Sequence, residues 1–422
     1  MKLKSGLFKD LFGVAFLQIL QILLSAVVGF LLIRMLSKND YAIFSLFTNT
    51  MATVIGIAAM AITVLFIPFA NKFGLESVKL SNSTIIYRIL NKPMLYIGLA
   101  IGLISCFISA INNKWVDINF IIASLLILIS IRNQYINRFY ESYFKLSGEP
   151  LKPFMANFIA EFIRLILISI LYFVFKAHTS ITIVILFVFL SISTSISNYL
   201  LKCKAEFNIS ENRIYTVDER NIFWGNFKPL LFPSFFFQIM QLFRNSLIYF
   251  ITGSGVIAEA AALGRLMMLF AAMDKVVEMV IIPRLGRQKK RIVFLRNLLL
   301  SLLVIVVVGI CLVISAYYYP QLWLWLLGEK YSNIKAALLW AIGTAVIERI
   351  SGLIMFAQLS KGRTRGQWWI PIFSTSIYYL FFYINGVRTS EDATKGLMIA
   401  ATVNLFAQCL MFILIYKKED EL

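Results

Sequence analysis

The chain has 422 residues, of which 60% are hydrophobic and only 14% charged, and it carries a formal net charge of +19. Soluble domains hold roughly 25% charged residues and must cover much of their surface with polar groups, so this composition excludes a soluble enzyme. It specifies an all-α integral membrane protein, because only helices and closed barrels satisfy every backbone polar group within hydrocarbon.

A hydrocarbon core about 30 Å thick needs roughly 20 apolar residues of helix. That ruler predicts about twelve transmembrane helices, at 11–33, 42–66, 93–111, 118–138, 154–175 and 181–201, then 229–252, 257–283, 297–319, 331–358, 367–385 and 396–416. The first of these exceeds the h-region of a signal peptide, and no small-residue cleavage site follows Ile33. Of the 40 Lys and Arg residues, 27 fall in one alternating set of connections and termini and only 8 in the other. The positive-inside rule then puts the N and C termini in the cytoplasm and accounts for the net charge without a nucleic-acid partner.

Taken in chain order, the first span carries Gln18, Gln21 and Ser25 along one helical face. Arg34 and Asp40 lie at the outer junction before the second span, where they are candidates for a gate or a pairing site. The segment 74–92 reads as a cytoplasmic amphipathic helix. The fifth span presents Asn157, Glu161 and Arg164. Glu161 and Arg164 are spaced i,i+3, so they either neutralise each other or belong to a wet route; a charge within a span requires one or the other.

The seventh span repeats the first. Shifted by 220 residues, 16–23 lies over 236–243, aligning Gln18 and Gln21 with Gln238 and Gln241, and both stripes end on a polar residue, Ser25 and Asn245. A weaker echo relates 145–152 to 358–365. Repeats six spans apart keep one orientation, which implies two six-helix halves around a central cavity. These are residues 1–201 and 229–422, joined by a cytoplasmic loop at 202–228. Arg244 in the seventh span and Arg265 in the eighth have no opposite charge at i±3 or i±4 in their own helices. They either pair with acids of other helices or line a cavity for an anionic substrate, and the second reading is preferred. Glu259, Asp274 and Glu348 complete the set of intramembrane acids available for coupling to a proton or a sodium ion.

Other chemistries lack their residues. The four cysteines show no metal or redox spacing, the single His178 rules out a His-based metal site, and no phosphate loop for ATP is present. Connections such as 67–92 and 202–228 are too short to fold as catalytic domains. A non-enzymatic transporter without a cofactor is the expectation. Trp323, Trp325, Trp368, Trp369 and the three tyrosines at 317–319 fall at span ends, where an aromatic interfacial belt is expected.

The run Phe30-Leu-Leu-Ile-Arg34-Met-Leu-Ser-Lys-Asn-Asp40-Tyr-Ala-Ile-Phe44 resembles the first span junction of Wzx-type polysaccharide flippases, with Ala42 where glycine is usual. The stretch Leu146-Ser-Gly-Glu-Pro-Leu-Lys-Pro153 resembles a turn of the wider superfamily, which includes multidrug extruders and the peptidoglycan lipid flippase. The resemblance implies a protein of the bacterial inner membrane that moves an undecaprenyl-diphosphate-linked oligosaccharide, such as an O-antigen unit, between leaflets, beside the polysaccharide polymerase machinery. In that setting Arg244 and Arg265 would hold the diphosphate, and Gln18, Gln21, Gln238, Gln241 and Asn245 would line the sugar path. A multidrug or cation antiporter of the same fold is the main alternative; a polysaccharide polymerase is a weaker one.

Overall fold

The computed structural model describes residues 5–73, 118–146, 151–175, 180–204, 251–267, 290–359 and 369–418, with a few isolated positions between them. The described residues form helices and no strands. The chain separates into two compact units, Met1–Ser246 and Leu247–Leu422. The linker expected at 202–228 lies largely outside the described residues.

The first unit contains α1 (Ser5–Met35), α2 (Lys38–Phe73), α3 (Ile118–Leu146), α4 (Leu151–Ile170) and α5 (Ser180–Lys204). A π-helical turn at Leu171–Phe175 prolongs α4. Only Leu36 and Ser37 separate α1 from α2. Ser37 closes the start of α2 by donating from its hydroxyl to Asp40 Oδ2 at 2.7 Å and accepting the Asp40 N–H at 3.1 Å. The second of these bonds is a side-chain N-cap, which satisfies an otherwise orphaned helix N–H.

Residues 41–47 of α2 are buried on all sides, as expected of a helix that is apolar all round and enclosed by neighbours. Phe187 of α5 is the hub of its packing. Its ring stacks on Phe44 at 5.3 Å and meets Phe47 edge-on at 5.8 Å. Between α3 and α4 the backbone turns through Glu149 N to Phe144 O at 2.9 Å. A Lys152–Glu149 ion pair at 2.7 Å secures this turn, with the ammonium over the Phe144 ring.

The second unit contains α6 (Ser254–Met267), α7 (Arg291–Tyr318), the short α8 (Pro320–Leu327), α9 (Lys335–Leu359), α10 (Trp369–Asn385) and α11 (Ser390–Lys418). Leu285, Phe294, Leu298 and Ile305 form a core with Leu353 and Ala357, which joins α7 to α9. Further along, Gly309 lets α7 approach α9 so closely that a Cβ there would strike Val346. Buried Gln358 on α9 donates to the Gln408 carbonyl of α11 at 3.2 Å. Gly386, at φ 62°, ends α10 in the left-handed conformation that glycine adopts without steric cost. A capping box, Thr389 with Asp392, opens α11.

Eight of the described helices are long and apolar enough to cross a membrane; α10, with 17 described residues, coincides with the span expected at 367–385. The spans expected at 93–111 and 229–252, the part of 257–283 beyond Met267 apart from isolated positions, and the amphipathic segment 74–92 lie outside the described residues.

Candidate functional site

In the first unit α1, which carries the polar stripe, packs along α4, which carries the charges. Gln18 is 9% exposed and Gln21 and Ser25 are half-buried, whereas Phe16, Leu23 and Val27 on the opposite face are exposed. A Cβ on Gly13 would lie 3.2 Å from Leu151, the first residue of α4. The two helices pack along one another. An antiparallel α4 would run past the start of α1 and leave it, so they are parallel and rise from a common level.

At 1.5 Å per residue, Gln18, Gln21 and Ser25 stand about 8, 12 and 18 Å above that level, and Asn157, Glu161 and Arg164 about 9, 15 and 20 Å. The stripe and the charges therefore share the same depth. Arg164 Nη1 lies 3.5 Å from Glu161 Oε1, both largely buried, so the i,i+3 spacing is realised as a neutralising pair. Glu161 Oε2 and Gln18 Oε1 are buried with no hydrogen-bond partner among the described residues.

Asn157 turns away from this pair. Its amide donates to Glu141 Oε1 of α3 at 2.7 Å and accepts from Ser197 Oγ of α5 at 2.6 Å. Glu141 also takes Arg138 at 3.3 Å. Deeper in the same seam Asn133 donates to Ser195 at 2.8 Å, and Asn198 donates back to Asn133 at 3.4 Å. Sequence reasoning missed this seam. Its trace is Asn133, Asn137 and Glu141 at spacing four on α3, one polar face of a largely apolar helix.

Gln238 lies against α2. A Cβ on Gly56 would come within 2.6 Å of its amide, so the glycine provides the notch that the side chain fills. Gln241, Arg244, Asn245 and Asp274 lie outside the described residues. At the junction of α1 and α2 Asp40 is the partner of the Ser37 cap, and half-buried Arg34 occupies the last turn of α1, where a cation suits the helix dipole.

In the second unit Glu259 and Arg265 are half-buried on α6, and neither side chain is without a partner. Arg349 of α9 donates to the Ala345 carbonyl at 3.0 Å and lies 3.9 Å from Glu348, whose side chain is 56% exposed. The Arg349 guanidinium covers the ring of Phe270 at 5.5 Å. Phe270 in turn stacks on Trp323, whose indole N–H donates to Ser315 at 3.2 Å. Trp323 is thus a packing residue, whereas Tyr317, Tyr318, Tyr319 and Trp325 are exposed at the span end, in keeping with an interfacial belt. Among the described residues no group of three His, Cys, Asp or Glu is placed to hold a metal.

In sequence, no family model and no characterised protein matches the chain. In structure it is similar to the lipid II flippase MurJ in an inward closed conformation, with TM-score 0.70 and 14% identity over 96% of this chain and 87% of that one. It is similar to an inward-facing MATE multidrug resistance transporter of the MOP superfamily, with TM-score 0.66 and 13% identity over 94% and 96%. A point mutant of the Vibrio cholerae MATE transporter VcmN matches with TM-score 0.56 and 14% identity over 99% and 98%. The chain thus has the fold that MATE transporters share with MurJ, over nearly its whole length.

Proposed function

We propose that this chain is a flippase of the bacterial inner membrane, moving an undecaprenyl-diphosphate-linked oligosaccharide such as an O-antigen unit outward by alternating access. The observation that carries this reading is the common depth of the α1 stripe and the α4 pair on two packed helices. Gln18, Gln21 and Ser25 lie level with an Arg164-neutralised Glu161, and the amide oxygen of Gln18 is buried without a partner among the described residues. A buried unsatisfied acceptor costs about 1–3 kcal/mol, which a ligand donor such as a sugar hydroxyl recovers. A polar stripe with no net charge suits a hydrated, neutral sugar. A cation antiporter, the alternative on this fold, needs acids open to the drug or ion. The fold shared with a lipid II flippase supports the same class of cargo.

In this reading Arg244 and Arg265 hold the diphosphate, since guanidinium forks match phosphate oxygens. Gln238, Gln241 and Asn245 continue the sugar path. The inside-negative potential assists an anion outward by about 2.3 kcal/mol per charge per 100 mV. Glu161, Glu259, Asp274 and Glu348 are the candidates for coupling to a proton or sodium ion, and the polymerase that consumes the unit is the expected neighbour.

The test is depletion of the protein in its own cell. The expected result is lipid-linked oligosaccharide accumulating on the cytoplasmic leaflet, loss of surface polysaccharide and unchanged drug sensitivity. In complementation, normally inserted Arg244→Ala and Arg265→Ala are each expected to lower flipping by tenfold or more, on the order of a lost charge-assisted hydrogen bond. Wild-type flipping in both overturns the cationic site; altered drug resistance with normal polysaccharide supports the antiporter.

A further inference from the structure

Helix α7 starts with basic residues and no acid. Lys290 stands at its N-cap with no side-chain cap, Arg291 opens the helix, and the first turn contains no Asp or Glu. Basic groups at a helix N-terminus oppose the helix dipole, which favours an anion there. The sequence places Arg284, Arg287 and Lys289 just before this start.

The exposed face of α7 continues the pattern. Ile292 is 82% exposed, and Leu299, Leu300, Leu303, Val304 and Val307 are all exposed along the same stripe. Arg296 interrupts this apolar stripe, itself exposed. Among the described residues no side chain pairs with it. From Arg296 to the exposed Tyr317 at the other end is about 32 Å of helix at 1.5 Å per residue, close to one hydrocarbon thickness. With the aromatic end at one interface, Arg296 falls at the headgroup level of the other. That is the cytoplasmic side by the charge distribution.

We propose that α7 carries a binding site for an anionic phospholipid of the cytoplasmic leaflet. The lipid phosphate is held by Arg296 and Lys290 at the uncapped helix start, and an acyl chain lies along Leu299, Leu300, Leu303 and Val307. A bare guanidinium on a lipid-facing stripe needs a counter-charge, and at that depth the group available is a lipid phosphate. Basic clusters immediately cytoplasmic of a span recognise anionic lipids through the same attraction. This inference is independent of the transported substrate.

The experiment is a thermal-shift titration of the intact chain, purified in neutral detergent, with phosphatidylglycerol, with phosphatidylcholine of the same acyl chains, and with inorganic phosphate. Phosphatidylglycerol is expected to stabilise with a midpoint about tenfold lower than phosphatidylcholine, and inorganic phosphate is expected to have no effect. Lys290→Gln with Arg296→Gln should raise the phosphatidylglycerol midpoint about tenfold and leave the phosphatidylcholine response unchanged. Arg296→Lys should retain most of the preference, and Lys330→Gln, at the other end of the unit, all of it. Equal response to the two lipids in the wild-type chain overturns the proposal, whether or not the double variant folds. So does stabilisation by phosphate alone, or an unchanged preference in the double variant. A lipid-linked diphosphate sugar acting at lower concentration than phosphatidylglycerol through the same residues would overturn it as well, by making this a substrate site.

Discussion

At Asn157 one amide joins three helices, donating to Glu141 on α3 and accepting from Ser197 on α5. Asn157→Leu keeps the volume but leaves a carboxylate oxygen and a hydroxyl without that partner. The expected loss is about 1–3 kcal/mol per orphaned group, read as a lower Tm in detergent, with Asn157→Gln recovering part of it. Asp40 and Asp392 each stand three residues after a capping hydroxyl, Ser37 and Thr389, and accept its hydrogen bond. Asp40→Ala and Asp392→Ala are expected to cost about 1 kcal/mol each, and to affect transport equally. A transport defect in Asp40→Ala alone, at equal stability, would give Asp40 the gating role that its place at the outer junction suggests. In the sequence Asp40 reads only as a gate or pairing candidate, although the spacings Ser37-x-x-Asp40 and Thr389-x-x-Asp392 carry the trace of these caps. The partners of Asn157 leave no such trace, because they sit 16 and 40 residues away on helices whose relative register no local pattern records.

Between elements, two glycines make contrasting notches. Gly309 faces Val346 across α7 and α9, and a β-branched side chain held in one rotamer cannot swing aside. Gly309→Ala is expected to cost about 1–3 kcal/mol by overpacking, and Val346→Ala in the same chain should recover much of it. A double-mutant cycle in thermal unfolding measures that coupling. Gly56 faces only the flexible end of Gln238. Gly56→Ala should leave stability within about 0.5 kcal/mol, while displacing the Gln238 amide from its notch and slowing flipping. Loss of stability without loss of flipping would make that contact structural only. The parallel packing of α1 and α4 has a further consequence. Gln18→Leu removes a buried, unpartnered acceptor, so it is expected to hold or raise Tm while lowering transport, the opposite of Asn157→Leu.

For the whole molecule, the distribution of Lys and Arg predicts the direction of every span. A C-terminal green fluorescent protein fusion is expected to fluoresce, and an alkaline phosphatase fusion after Arg388, between α10 and α11, is expected to be active. The reverse pattern would invert the orientation and with it the leaflet assigned to Arg296. The fold held in common with MATE transporters and MurJ at 13–14% identity shows how little of a membrane architecture depends on particular side chains.

The sequence by itself determined the class, the spans that the described residues cover and the charge asymmetry, because each depends on local composition measured against a bilayer of known thickness. It also marked Gln18, Gln21, Glu161 and Arg164 as groups that hydrocarbon would not tolerate alone. It left open whether Glu161 and Arg164 face a route or one another, and the folded chain decided that they pair. Only the tertiary structure brought the α1 stripe level with that pair, turned Asn157 toward Glu141 and Ser197, and left Arg296 on the exposed side of α7. The reason is physical. Spacing within a helix shows which residues share a face, but which neighbour that face meets, and at what depth, is set by the packing of helices far apart in the chain.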